Sequence, residues 1–289
     1  MTDQVKAERV PLVSVLIPTY NNNLHYLQLA LTSILQQTFT DFEMLLVDDG
    51  NKPECIQYMQ ELEQKDARVH LLQRNGKDGL PGALNYGLQA ARGKIIARMD
   101  ADDVALPERF QKQIAYLQAH PEVDVLGTNM RVIDSDGKVI GALVKHSEPD
   151  EVKRNAYWKS PVAHPSVMFK KDKILSVGGY NVNFKMAEDL DLWLRALKHG
   201  IVIASLPDFL MQYRIEANTF ERRGPKTYWY DYLARKQNFV FTIPCITKLV
   251  MYYILYVTFT VLEAMPWVSD HLWHLLRWVY EHRGGTRQY

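Results

Sequence analysis

Short apolar runs alternate with helical periodicity over the first hundred residues. Residues 13–17 form an apolar run closed by the turn-forming stretch 18–23, which predicts a buried strand. Leu27, Leu31, Ile34 and Leu35 then recur on one helical face. A second strand is predicted at 42–47, ending in Asp48, Asp49, Gly50 and Asn51. A helix over 53–65 follows, with Ile56, Met59 and Leu62 inward, then a strand at 69–72 and a loop at 75–79. Leu84, Leu88 and Ala91 mark another helix, and the run from Ile95 a fourth strand, after the turn residue Gly93. This alternation predicts an α/β fold with a mostly parallel sheet flanked by helices. Pro107 is expected to open the next helix, carried by Phe110, Ile114 and Leu117. Beyond it the pattern turns mixed. A strand is expected at 123–128, and residues 130–133 and 139–143 flank a hairpin turn at 134–137.

Composition changes this picture only toward the carboxyl end. The chain is 289 residues long, enough for one large α/β domain and an appendage. Its net charge of +1 gives no field that would gather nucleic acid. Cys55 and Cys245 have no metal or redox spacing, and residues 1–9 contain no apolar leader-like run. Residues 221–289, by contrast, hold 15 of the 32 aromatic residues and a net charge of +4, against −3 for residues 1–220. The expected division is a domain at 1–220, in halves of about 11–128 and 129–220, and an aromatic, basic helical tail at 221–289. An uncharged run at 249–262 is short for a spanning helix. Further apolar residues at helical spacing follow it, beside Trp267, Trp273, Trp278 and three arginines. The tail is therefore expected at a membrane surface through residues 245–289, or packed on protein.

The candidate chemistry sits at strand ends. Ligands in open α/β sheets bind beyond the carboxyl ends of the strands. The predicted strands place Pro18, Thr19 and Tyr20, the pair Asp48 and Asp49, and the cluster Asp100, Asp102 and Asp103 along that edge. Asp100 and Asp102 can converge on a hard cation, Mg²⁺ or Mn²⁺, while Asp103 can cap the following helix. Carboxylates gathered in a cleft repel and need a cation or hydrogen-bond donors. Neither G-x-G-x-x-G nor a G-x-x-x-x-G-K-[ST] loop occurs, so phosphates are not gripped by a Gly-rich turn. His164, between Pro161 and Pro165, is either structural or a metal or phosphate contact. Glu188 and Asp189 begin an amphipathic helix carrying Leu190, Leu194 and Leu197. They are either helix-start carboxylates or a general base aimed into the cleft, with Arg195 holding them or neutralising phosphate.

With Pro18-Thr-Tyr-Asn, Val47-Asp-Asp-Gly50, Asp100-Ala-Asp-Asp103, His164-Pro-Ser-Val and Glu188-Asp-Leu-Asp-Leu-Trp-Leu-Arg195 in this order, the chain resembles the family 2 glycosyltransferases over about residues 11–215. The wording around Asp100 is similar to bacterial enzymes of capsule, exopolysaccharide and O-antigen synthesis. The resemblance implies an inverting enzyme of the GT-A fold that uses a nucleotide-diphosphate sugar, with a UDP-hexose as the expected donor. By that implication Pro18, Thr19 and Tyr20 border uracil and ribose, Asp49 accepts from the base, and Asp48 lies close by. Lys77 and Gly79 fall in a loop that reaches the nucleotide. Asp100 contacts ribose or sugar, and Asp102 is the principal ligand of Mn²⁺ or Mg²⁺. Asp189 is the catalytic base with Glu188 as second choice, while His164 and Arg195 are accessory. Asn51, where many relatives carry Ser, is expected to matter little. A lipid-linked glycan acceptor at the cytoplasmic face of the inner membrane, with the enzyme peripheral or monotopic, would explain the tail. Two other readings remain at this point. A sugar-1-phosphate nucleotidyltransferase would want a Gly-rich basic loop after the first strand, and an inactive glycan-binding or scaffold subunit would not need Asp102 and Asp189 together.

Overall fold

The computed structural model describes residues 9–76, 78–145, 147–215, 226–238 and 243–263. The first four long apolar runs become strands: β1 (Val13–Thr19), β2 (Phe42–Asp48), β3 (Val69–Gln73) and β4 (Ile95–Arg98). Helices α1 (Leu24–Leu35), α2 (Pro53–Lys65) and α3 (Gly79–Ala90) connect them. All pairings among these strands are parallel, in the order β3-β2-β1-β4.

Strand alternation decides which helix lies on which face. Val13, Val15 and Ile17 share one core with Leu27, Leu31 and Ile34 of α1 and with Cys55 and Met59 of α2. Leu16, Leu45 and Val47 face the other way, into a core with Leu84 and Leu88 of α3 and with Trp193. A Cβ at Gly87 would overlap the Leu16 side chain, so only glycine lets α3 lie this close to β1. In α2 the fully buried residues are Cys55 and Met59, whereas Ile56 is half-buried, so the inward face is turned by one position from the expected one.

The second half departs further from expectation. Val104–Ala105 forms a two-residue strand, β5, and α4 begins at Arg109 rather than at Pro107. Pro107 sits in the turn between them, where its carbonyl accepts from the Thr38 N–H. Val125–Ile133 is one strand, β6, with a register irregularity at Asn129, so the expected division at 128/129 falls inside a strand. β7 (Val139–Leu143), α5 (Pro149–Asn155), β8 (Met168–Lys170), α6 (Lys171–Ser176), α7 (Glu188–Lys198) and β9 (Ile203–Arg214) follow. The path of the sheet is completed as β4-β8-β6-β9-β5, with β7 on β6. β6 and β9 are parallel, but β4/β8, β6/β8, β6/β7 and β5/β9 are antiparallel. The sheet is therefore mixed rather than mostly parallel.

Residues 216–225, where the tail was expected to begin, lie outside the described residues. Two helices beyond them are described, α8 (Lys226–Gln237) and α9 (Ile243–Glu263). Ala234 of α8 closes a core with Tyr157, Phe184, Leu190 and Leu194. The Arg235 Nε donates to the Tyr157 carbonyl at 3.0 Å, and the Asn238 Nδ2 to Asp191 at 3.1 Å. The tail thus packs on protein along α8. Ile246, Val250, Tyr253, Ile254, Val257 and Val261 of α9 are exposed. Among the described residues no helix is long and apolar enough to cross a membrane.

Candidate active site

A cleft of about 430 Å³ opens at the carboxyl ends of β1, β2 and β4. Pro18, Thr19, Tyr20, Asp49, Gly79, Asp100 and Asp102 line it. Asn22, Gly76, Leu80, Ala83 and Ala101 also line it and were not anticipated. Lys77 lies outside the described residues. Gly79 starts α3 at φ +64°, a backbone conformation that glycine adopts without strain.

Asn51 joins the two strand ends beneath the cleft. Its Nδ2 donates to Thr19 Oγ1 at 2.9 Å and to Asp48 Oδ1 at 2.7 Å, and its Oδ1 accepts from the Asn22 N–H at 2.9 Å. Serine is shorter and has a single O–H donor, so it could not make both donations, and the position matters more than expected. Asp48 also accepts from the Gly50 N–H at 3.2 Å and is buried; it shapes the turn and does not line the cleft. Asp49 does, and Arg74 pairs with it at 3.0 Å, both side chains being nearly buried. Burial pushes the Asp49 carboxyl up against the pull of Arg74, and Asp48 adds to the rise. Arg74 also pairs with Asp78 at the start of α3.

The acidic loop is balanced by buried arginines. Arg98, at the end of β4, is 2% exposed and forks onto Asp100, with Nη1–Oδ2 at 3.0 Å and Nη2–Oδ1 at 2.5 Å. Arg109, fully buried in the first turn of α4, donates from Nη2 to the Arg98 carbonyl at 2.7 Å. Asp103 does not cap a helix. It is fully buried, accepts the Arg214 N–H at 2.9 Å, and its Oδ2 has no hydrogen-bond partner among the described residues. Burial, then Asp100 and Asp102, push its carboxyl well up.

The expected ligand set of Asp100, Asp102 and His164 is not assembled. Among the described residues no group of three or more His, Cys, Asp or Glu side chains is placed to hold a metal ion. His164 is buried in an aromatic box with Tyr180 and Trp193, its Nε2 2.8 Å from the Tyr180 hydroxyl. Burial holds its pKa well down, so the ring is neutral and structural here. Asp100 is engaged by Arg98 through both oxygens. Asp102 remains at the cleft wall. That fits a hard cation bound through one carboxylate, the remaining ligands coming from substrate phosphates and water.

Helix α7 carries the remaining carboxylates. Ala187 caps it at φ +58°, a left-handed conformation costly for alanine, and so turns Glu188 and Asp189 to the helix N-terminus. Glu188 is 8% exposed, with Oε1 4.0 Å from His164 Nδ1. Burial first, then Asp189, push it up to about 8. Asp189 is raised by burial as well, with Asp231 adding to the rise, and with Arg98 and Lys145 opposing it. Lys145 is the cation that sequence reading missed beside Asp189. Its Nζ donates to the Ser160 carbonyl at 3.0 Å, and burial lowers its pKa. Arg195 is corrected: its guanidinium is spent on Asp191 at 2.8 Å and on the Val177 and Gly179 carbonyls. It fastens α7 to the loop before it, and Asp189 is not among these partners.

The profile of Glycosyl transferase family 2 matches residues 14–177. The amylovoran biosynthesis glycosyltransferase AmsE of Erwinia amylovora is 37% identical over 211 residues, covering 73% of this chain and 79% of that protein. The O-antigen biosynthesis glycosyltransferase WbnJ of Escherichia coli is 34% identical over 216 residues, covering 73% and 82%. Among solved structures, S. aureus TarS 1-349 in complex with UDP-GlcNAc matches with a TM-score of 0.66 at 20% identity, over 86% of this chain and 73% of that one. The last likeness is one of fold, and it agrees with the GT-A architecture that the motifs implied. A profile match over more than half of the residues, with two relatives above 30% identity, makes this chain a member of Glycosyl transferase family 2.

Proposed function

We propose that the protein is an inverting glycosyltransferase that moves a hexose from a UDP-sugar to a hydroxyl of a growing, lipid-linked glycan in bacterial surface polysaccharide synthesis. One observation carries this reading: a single cleft edge gathers Tyr20, Asp49 and Asp102. Tyr20 is 71% exposed at the mouth and offers a ring to the base, and Asp49, steadied by Arg74, accepts from a base N–H. Asp102 would hold Mn²⁺ or Mg²⁺ against the diphosphate. Such a cation, when bound, stabilises the charge on the departing nucleotide. Asp100, held by Arg98, is oriented toward the ribose or sugar. The structure bound to UDP-GlcNAc and the two relatives' names support the donor and pathway class.

An acceptor hydroxyl is a poor nucleophile near neutral pH, so a base must take its proton as it attacks. We take Asp189 as that base: its side chain is partly exposed, whereas Glu188 is buried with its Oε1 4.0 Å from His164 Nδ1. Burial raises the basicity of Asp189, and Lys145 and Arg98 keep it ionisable. A single displacement inverts the anomeric carbon and turns an α-linked donor into a β-linked product. The exposed apolar face of α9 supports docking at the cytoplasmic surface of the inner membrane, where a lipid-linked acceptor would lie. A donor screen tests the whole reading: full-length protein, Mn²⁺, and UDP-, GDP- and TDP-sugars, with nucleotide release followed with and without lipid extract. Release from one UDP-hexose, stimulated by lipid and lost in Asp189→Asn, is the expected result. Failure to bind any nucleotide would overturn it.

A further inference from the structure

Arg214 ends β9, 112 positions after Asp102, and is 5% exposed. Its contacts converge on the acidic loop. The backbone N–H donates to Asp103 Oδ1 at 2.9 Å, and Nε donates to the Asp102 carbonyl at 3.0 Å. Nη1 donates to the Asp134 carbonyl at 2.9 Å and the Ser135 carbonyl at 3.2 Å, at the tip of the β6–β7 hairpin. The guanidinium carbon stands 4.3 Å from the centroid of the Tyr26 ring in α1. One planar side chain therefore ties together the acidic loop, the hairpin tip and the first turns of α1. On its far side, a second cleft of about 390 Å³ opens between His25, Tyr26 and Asp136. Arg214 itself lines that second cleft and so stands between it and the Asp102 backbone.

We infer that Arg214 is a positioning residue: by holding the Asp102 backbone from behind, it sets where the Asp102 carboxylate stands in the donor cleft. This rests on the proposed role of Asp102 toward the nucleotide diphosphate. A fork is needed because two donors must point at two different loops, and Lys offers only a point charge on a flexible stem. Tyr26 fixes the plane of the fork from the other side. A purely structural Arg214 would change stability alone. A positioning Arg214 changes the metal-dependent share of nucleotide affinity and leaves the Asp49–Arg74 end untouched.

The test is calorimetric UDP binding to the full chain, with Mn²⁺ and without it, for the wild type, Arg214→Lys, Arg214→Met and Tyr26→Leu. The expected result is at least a tenfold loss of Mn²⁺-supported UDP affinity in both Arg214 variants, a smaller loss in Tyr26→Leu, and unchanged metal-free binding. Raised Mn²⁺ should restore part of the loss. Tyr26→Leu keeps every Arg214 hydrogen-bond partner, so it carries the test if the Arg214 variants fail to fold. Wild-type Mn²⁺-supported affinity in the folded variants would overturn the inference. A wild type whose UDP binding ignores Mn²⁺ would instead overturn the role of Asp102, and the role of Arg214 with it.

Discussion

Replacing Glu188 with glutamine isolates the cost of burying one carboxyl at the start of α7. In the folded chain Glu188 is pushed from 4.5 up to about 8, chiefly by burial and then by Asp189. The sign follows from proton counts. Between pH 4.5 and 8 the folded carboxyl keeps its proton while the unfolded one releases it, so the unfolded chain binds fewer protons and stability falls as pH rises. At ~1.4 kcal/mol per pKa unit, the loss is under ~1 kcal/mol at pH 5, about 3 kcal/mol at pH 7 and about 5 kcal/mol above pH 8. Glutamine matches the neutral acid in shape and cannot ionise, so Glu188→Gln should be more stable than the parent by a margin that opens with pH in this way. Urea unfolding at pH 5, 6, 7, 8 and 9, followed by tryptophan fluorescence, reads the margin directly. Because Glu188 is protonated near pH 7 and buried beside His164, turnover in Glu188→Gln should stay within a few-fold of the parent. A margin that is constant with pH, or a variant less stable at pH 8, would refute the reasoning.

Asp189→Asn should lower turnover by roughly a hundredfold or more with little change in donor KM, since a general base acts in the chemical step. In the parent, the acid limb of the kcat–pH profile should lie above the ordinary carboxylate range, because burial raises Asp189. Arg195→Met takes the cation from buried Asp191, which keeps Asn238, and should cost ~2–3 kcal/mol in unfolding free energy while donor KM holds; a specific rise in KM would restore it to the binding site. Asn51→Ala loses three hydrogen bonds and should cost ~2–3 kcal/mol, with weaker UDP binding measured by calorimetry. Val250→Glu combined with Ile254→Glu should move the full chain from floating vesicles of anionic lipid to the soluble fraction; unchanged flotation would count against docking through α9.

Much of the donor side was legible because its signals are local. β1 to β4 announce themselves as apolar runs and the helices between them as periodic faces, and parallel pairing then carries Pro18–Tyr20, Asp49 and Asp100–Asp102 to one edge. The misses are non-local. Two residues, Val104 and Ala105, are a strand only because Met211 and Gln212 come to pair with them. Arg74, Lys145 and Arg214 are single charges with no period, and their partners are set by tertiary approach. Arg98 did leave a trace, a cation inside a buried strand. His164 and Arg195 show the opposite error. Imidazole and guanidinium suit a polyphosphate site, but they equally well satisfy an aromatic box or two stray carbonyls.

The seat of α8 has a consequence for anyone shortening this chain. Ala234 sits against Tyr157, Phe184, Leu190 and Leu194, and the last two belong to the helix whose first turn carries Glu188 and Asp189. A chain cut before residue 226 would lay those side chains bare and leave Asp191 without Asn238. The appendage is not a detachable tether: trimming it to gain solubility should yield a stickier protein, with a proton acceptor loosened from its bedding.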